Sequence, residues 1–374
     1  MDGLKESQLI RIEPIAQLLN YGIKADHVTF PRVTMSSNRW LCCRHSDKKK
    51  KDVERVTALN LTRKTPRALT WPITADSAMM NPRKPWLALK VESYFQVFNV
   101  VAQKQIHSCS LSDDIIFWSW INENIIGMVT DRAVYHWDVS GSGSVPPALV
   151  FLRNKKLSFS QVVSYKTDRT AQWFILVGLT RAIETGDSNA IRGYVQVYSN
   201  TYRCSQLIEA QAANFSSYKF SGNVVPSTVL CLVNRPTGCC YGKIHIMELG
   251  PHLAGNASLR NLTEPINFSK GGKYDIPIAV EVCCSTGLVY VMTKAGFVKV
   301  CDVESAMHLC TARASESTVF ISVPHSDKGI LGVSRNSKVF HMTVKEKELL
   351  HHIRSTLRRP AIATRLEKSF SGQS

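Results

Sequence analysis

WLALKV at Trp86–Val91, followed by FQVFNV from Phe95, is the stretch that decides the fold. The first segment is almost continuously apolar, which suits a strand buried on both faces. The second alternates apolar and polar residues, which suits a strand nearer a sheet edge. The alternating segment recurs. It appears as VTALNL from Val56, AVYHWDV from Ala133, VQVYSN from Val195, IHIMELG from Ile244, VKVCDVE from Val298 and VFHMTVKE from Val339, making seven with Phe95. The apolar partner recurs upstream, as IIGMVT (Ile125–Thr130), WFILVGLT (Trp173–Thr180), TVLCLVN (Thr228–Asn234), LVYVMT (Leu288–Thr293) and ILGVSR (Ile330–Arg335). Turn residues separate the two, for example Thr-Asp-Arg at 130–132, Lys-Ala-Gly at 294–296 and Arg-Asn-Ser at 335–337. Successive starts lie roughly 38 to 62 residues apart, comparable to the ~40–50 residues of a propeller blade. The expected fold is all-β, a seven-bladed β-propeller. A pair of β-sandwiches is the competing architecture.

Helical periodicity is confined to the end of the chain. In Val344–Leu357 the apolar residues Leu349, Leu350, Ile353 and Leu357 fall on one face. Pro360 breaks the pattern, and Ala361–Phe370 reads as a second short helix. The expected organisation is a propeller over residues 1–340 and a short α-helical tail over 341–374. Gly141–Pro147 and Gly250–Gly272 read as loops between blades.

Composition narrows the function classes. The chain has 374 residues and 44% hydrophobic content, enough for a large core. No stretch approaches 18 consecutive apolar residues, and the N-terminus lacks the unbroken apolar core of a signal peptide, so a cytoplasmic location is expected. The eleven cysteines include three adjacent pairs, Cys42-Cys43, Cys239-Cys240 and Cys283-Cys284, and no CxxC. Neighbouring strand residues point to opposite faces, so such pairs cannot clamp one metal; buried free thiols are expected. Adjacent His351 and His352 fail as metal ligands for a similar reason. The Asn-x-Ser/Thr sequons at Asn60, Asn214, Asn256, Asn261 and Asn267 read as chance matches. The net charge of +17 points to an acidic partner: a peptide, an anionic membrane or a nucleic acid. Its densest run is Lys48–Lys51, extended by Arg44 and Lys64, in a solvated loop. No motif interleaves aromatics with basic residues as RNA-binding sheets do, so nucleic acid is disfavoured. No P-loop, GxGxxG, HExxH or GxSxG occurs, and Asp113-Asp114 reads as a blade turn. No catalytic residue, metal or cofactor is therefore expected.

Ordered motifs then bring in a known family. ITADSAMMNP (Ile73–Pro82), LALK (Leu87–Lys90), QVFN (Gln96–Asn99), SDDIIFWSWI (Ser112–Ile121), TDRAVYHW (Thr130–Trp137), SYKTD (Ser164–Asp168), SQLIEAQAANF (Ser205–Phe215) and GILGVSR (Gly329–Arg335) together resemble the clathrin heavy chain terminal domain. The resemblance covers essentially the whole chain. It implies a seven-bladed propeller leading into the start of an α-zigzag linker. It also implies a non-catalytic hub that takes short linear motifs from adaptor and accessory proteins during coated-vesicle formation, endocytosis and intracellular protein transport. The implied location is the cytoplasmic face of coated pits and vesicles, with membrane association indirect through adaptors.

The family's sites carry over residue by residue. The clathrin-box groove, between the first two blades, corresponds to Leu69, Leu87, Tyr94, Gln96, Phe98, Gln103, Lys104 and Gln105. Leu69, Leu87 and Phe98 would line it, and Gln96 would supply an amide. Tyr94 stands where the family has a groove threonine, Gln103 and Gln105 replace groove lysines, and Trp71 replaces an arginine, which weakens the match to an acidic peptide end. The Trp-motif cavity corresponds to Phe30, Gln161 and Val163. A middle-blade adaptor groove corresponds to Trp173, Val197, Arg203, Gln206 and Lys243, with Tyr202 and Cys204 departing from the family pattern. A chain of this length is expected to lack light-chain binding and trimerisation, whether as a fragment or as a short clathrin-like paralogue. A basic propeller that binds anionic membrane or nucleic acid without coat assembly is the alternative.

Overall fold

Each of the seven alternating segments proves to be the third strand of a four-stranded sheet, and each apolar partner the second. The computed structural model describes residues 6–46, 53–63, 65–141, 145–182, 186–187, 189–256, 258–325 and 328–372. Their seven four-stranded sheets make a seven-bladed β-propeller with two short helices at its C-terminal end. Sheet 1 comprises Val33–Met35, Trp40–Ser46, Glu54–Asn60 and Arg67–Pro72; sheet 2 comprises Ser77–Met80, Trp86–Val91, Tyr94–Asn99 and Lys104–Ser110. Sheets 3 to 6 follow the same up-and-down order and begin at Ile115, Gln161, Ala212 and Pro277. Sheet 7 departs from it. Its first three strands are Val319–Pro324, Ile330–Ser334 and Lys338–Val344, and its fourth is the chain's first strand, Ile10–Gln17.

The chain divides into two compact units: Pro14–Tyr165 with Val333–Phe340, and Met1–Glu13 with Lys166–Gly332 and His341–Ser374. In the first, alternation along Tyr94–Asn99 sorts side chains between two cores. Phe95 and Val97 are buried with Trp118, Trp120, Ile126, Met128 and Trp137 of sheet 3. The opposite face of sheet 2 contributes Leu87 to a cluster with Trp40, Cys42, Val56 and Ala58 of sheet 1. Hydroxyls and an indole stitch these sheets together. Thr34 and Ser36 donate to the Ala78 and Met80 carbonyls at 2.6 Å, and Trp120 Nε1 donates to the Met79 carbonyl at 3.2 Å. In the second unit the core runs through sheets 5 and 6, with Val229, Cys231, Ile244, Ile246, Val289, Val291 and Cys301 all buried.

Several expectations are corrected. Gly141–Pro147 connects the third and fourth strands of sheet 3, within one blade; Ser142–Ser144 lie outside the described residues. Gly250–Gly272 is no simple loop, because Asn261–Asn267 forms the fourth strand of sheet 5. That strand, NLTEPIN, is polar and contains Pro265, a composition that an outer strand with one unpaired edge tolerates. All the cysteines are free, but Cys204, Cys239, Cys240 and Cys284 are exposed and Cys283 is half-buried, since these sit in or beside turns. Burial pushes the Cys42 thiol up to about 12. Asp113 and Asp114 lie in the turn between sheets 2 and 3. Lys48–Lys51 and Lys64 lie outside the described residues.

The third strand of sheet 7 continues to Val344. Helices α1 (Glu346–Ser355) and α2 (Pro360–Phe370) follow, with Pro360 in the first turn of α2, where its missing N–H costs nothing. Leu349, Leu350, Ile353, Ala363 and Leu366 are buried, as is His352, while His351 is exposed. Arg365 reaches from α2 into sheet 6, pairing with the buried Asp302 and donating to Tyr218 Oη at 2.9 Å. The helices thus belong to the second compact unit.

Candidate functional site

The best-formed candidate is the seam between sheets 1 and 2. Leu87 pairs with Phe98, and Leu89 with Gln96, across neighbouring strands of sheet 2. These positions share a face, and Tyr94 extends it by the same alternation. From sheet 1, Leu69 and Trp71 on the outer strand pack half-buried against the shared cluster, together with Leu89. Leu87 is only 3% exposed and forms part of the core beneath the seam. Gln96 and Phe98 are half-buried and Tyr94 is exposed. The result is a strip of half-covered apolar side chains beside an amide, the composition an extended peptide needs for alternate side chains.

A β-bulge shapes the polar end of the strip. Val97 pairs with His107 but Phe98 pairs with Gln105, so Ile106 is the extra residue. Ile106 turns toward the sheet 3 core. Gln105 therefore sits opposite Phe98, and Gln96 Nε2 donates to Gln105 Oε1 at 2.8 Å. The preceding loop is fixed by Asn99, whose Oδ1 accepts from the Val101 and Ala102 amides at 3.0 and 3.1 Å. Gln103 closes that loop with φ 53°, and Lys104 follows, exposed. His107 lies on the far face, its pKa lowered by burial and by the nearby Lys84.

The other predicted residues are placed as follows. Phe30 is half-buried in a turn; Gln161 is exposed and Val163 half-buried, two residues apart on the first strand of sheet 4. Tyr165, further along that strand, bonds to His136 Nε2 at 2.7 Å and lies over Gly127, where a Cβ would come within 2.6 Å of its ring. In sheet 4, Trp173 pairs with Ser199 and Val197 with Gln206, so Trp173, Val197 and Gln206 share a face. Asp168 positions Trp173, its Oδ1 accepting the Gln172 and Trp173 amides at 2.9 Å. Val197 is only 7% exposed, leaving Trp173 and Gln206 to offer the surface. Arg203, with φ 50°, ends a hairpin loop equivalent to the one Gln103 ends; Tyr202, Arg203 and Cys204 are exposed there, and Lys243 is exposed on sheet 5.

One polar cluster escaped the sequence reading. Lys166, Asn214 and Glu281, on the first strands of sheets 4, 5 and 6, converge. Lys166 Nζ lies 3.0 Å from Glu281 Oε1, and the Asn214 amide donates to Glu281 Oε2. Glu281 is 2% exposed, and burial pushes its carboxyl above the usual range although Lys166 and Asn214 pull the other way. A lone acid inside the apolar run IAVEV was the available signal. Among the described residues no group of His, Cys, Asp and Glu could hold a metal ion, and no helix is long and apolar enough to cross a membrane.

No protein-family model matches the chain. Among solved structures, the Myceliophteria thermophila Cps50 (Swd1) β-propeller domain covers 90% of the chain at a TM-score of 0.55 and 9% identity. A chain of the mitotic checkpoint complex covers 92% at 0.57 and 10%. At such identities these likenesses concern the fold alone. Curated relatives are more informative. Human clathrin heavy chain 2 is 33% identical over 360 residues, and the Drosophila melanogaster clathrin heavy chain 32% over 359, each covering 96% of this chain. The probable clathrin heavy chain of Schizosaccharomyces pombe is 32% identical over the same share. The chain spans about a fifth of the length of these relatives, 21% in each case. Matched along 96% of its own length, the chain is a divergent homologue of the N-terminal propeller domain of clathrin heavy chains.

Proposed function

We propose that this chain is a non-catalytic recruiting propeller of clathrin-coated vesicle formation, taking short linear motifs from adaptor and accessory proteins at the cytoplasmic face of coated pits and vesicles. The observation that carries this reading is the strip between sheets 1 and 2. Phe98, Leu69 and Leu89 are apolar and half-covered, Gln96 stands beside them, Lys104 is exposed next to Gln105, and Arg67 is exposed two residues before Leu69 on the same strand. An extended peptide with alternating apolar residues and an acidic end fits that chemistry. Each contact of this kind is weak, and repetition across an assembly supplies strength. The family resemblance implies groove lysines where this chain has Gln103 and Gln105, so a preference for less acidic motifs is expected here. The faces carrying Gln161 with Val163, and Trp173 with Gln206, are proposed as secondary motif sites.

The test is fluorescence polarisation of a labelled clathrin-box peptide against this chain, beside a scrambled peptide and a Trp-rich motif peptide. Saturable, sequence-specific binding at about 10–100 µM is expected, and loss of it in the Gln96→Ala/Phe98→Ala double variant. Binding no better than to the scrambled peptide overturns the reading. Binding of the Trp-rich peptide alone moves the function to the Gln161 and Val163 face.

A further inference from the structure

Phe159 is 93% exposed, the highest value for a large hydrophobic side chain among the described residues. A phenylalanine in water is ordinarily a sign of a loose loop, but this loop is tightly built. Leu157 is fully buried beneath it as an anchor. The guanidinium of Arg153, whose side chain is itself buried, donates to the Leu157 carbonyl at 2.6 Å and to the Thr130 carbonyl at 2.8 Å. Asn154 Oδ1 accepts the Lys156 amide at 3.0 Å, opening a short 3-10 turn over Lys155–Leu157. Ser160 closes it by donating both its amide and its hydroxyl to the Leu157 carbonyl. Phe159 is therefore held out, between two anchored residues.

The surroundings have one character. Lys155 and Lys156 are exposed on the same turn, and Arg132 is exposed beside it, its carbonyl accepting the Arg153 amide at 2.7 Å. Residues 145 to 167 contain no Asp or Glu. The neighbouring Asp131 is paired with Arg153 at 3.7 Å. The strand that leads into the turn, Ala148–Leu152, exposes Leu149 and Leu152, the latter at 67%. The turn is thus a protrusion with an apolar tip, aliphatic flanks and a basic collar.

We infer that the Arg153–Ser160 turn is a membrane-contact knuckle that inserts Phe159 into the headgroup boundary of an anionic bilayer while Arg132, Lys155 and Lys156 engage the lipid charge. Protruding apolar side chains ringed by lysine and arginine are what an interfacial anchor requires. A peptide partner needs walls for its side chains, and this turn offers none. A single-stranded nucleic acid uses the charge and the ring, but has no aliphatic surface to cover Leu149 and Leu152. The inference is independent of the strip between sheets 1 and 2, because no residue is shared. It also uses no residue of the Lys48–Lys51 run.

Flotation of the whole chain with vesicles tests it. Vesicles of phosphatidylcholine with about a third phosphatidylserine should carry the chain, and pure phosphatidylcholine vesicles should not. Phe159→Ser should weaken partitioning by about tenfold at salt that screens long-range attraction. Lys155→Ser/Lys156→Ser should weaken it by about fivefold per lysine. Both variants should keep the parent's clathrin-box peptide titration, which separates failure here from failure of the motif-binding reading. Equal flotation of parent and variants, or no flotation of the parent, overturns the inference. So does a variant effect that appears on polyuridylate binding and is absent on vesicles.

Discussion

Gln96 and Gln105 satisfy each other across the third and fourth strands of sheet 2, amide nitrogen to amide oxygen at 2.8 Å. Each is thereby partly withdrawn from the peptide proposed to bind there. Gln105→Lys should release the Gln96 amide and place a cation opposite Phe98. An acidic-ended peptide should then bind about fivefold tighter, a gain that shrinks as added salt shortens the reach of the charge. Fluorescence polarisation of parent and variant at low and high salt measures this. An unchanged affinity would show that peptides do not end near Gln105.

Leu87 and Phe98 are directly paired neighbours with different duties. Leu87 is nearly fully buried in the core shared with sheet 1, so Leu87→Ala should cost about 3 kcal/mol of stability. Phe98 is half-buried on the strip, so Phe98→Ala should cost less in stability and more in peptide binding. Urea unfolding and peptide titration of both variants decide the matter. If Phe98→Ala unfolds as easily as Leu87→Ala and binds peptide normally, the strip is core packing.

The sequence disclosed the blades because their second and third strands carry the burial. Trp86–Val91 and its counterparts are packed on both faces, and that requirement leaves a continuous apolar run. The first and fourth strands are less legible: Asn261–Asn267 is polar, contains a proline and reads as loop, because an outer strand has one free edge and little core to touch. The shared faces of Gln96 with Phe98 and of Gln161 with Val163 followed from alternation, whereas that of Trp173 with Gln206 depends on the register between strands. The mutual bond of Gln96 and Gln105 did not, because it depends on the bulge at Ile106, which breaks the period of two. Contacts between distant strands, such as Lys166 with Glu281, leave no local pattern at all. The Phe159 knuckle was equally silent, since one phenylalanine among serines reads as an ordinary loop residue until its exposure is known.

Glu281 offers a test of burial against pairing. Burial raises its carboxyl pKa despite Lys166 and Asn214, so the folded chain holds that proton more tightly than the unfolded chain. Its contribution to stability then falls as pH rises from the ordinary value of about 4.3 through the raised folded value, and the full penalty is present above it. Glu281→Gln should therefore be stabilising at pH 7.5, by about 1 kcal/mol, with the gain shrinking as pH falls toward 4. Urea unfolding across that range reads it. A variant less stable than the parent at pH 7.5 would mean that the Lys166 bridge outweighs the burial cost.

Arg365 makes the opposite case, because removing it strands a charge. Its guanidinium pairs with Asp302, which is 1% exposed, and also donates to Tyr218 Oη and the Thr286 carbonyl. Among the described residues, Asp302 keeps Ser305 Oγ, at 2.7 Å, and nearby backbone as partners once Arg365 is gone. Arg365→Ala should cost about 3 kcal/mol, since an unpaired buried carboxylate remains, and Asp302→Asn in the same chain should recover part of the loss. The same substitution should loosen α2, because Ala363 and Leu366 are buried on the helix that Arg365 pins. Hydrogen exchange at the α2 amides would register that loosening. If α2 keeps the parent's protection while global stability drops, apolar packing alone holds the helix and Arg365 acts only on Asp302.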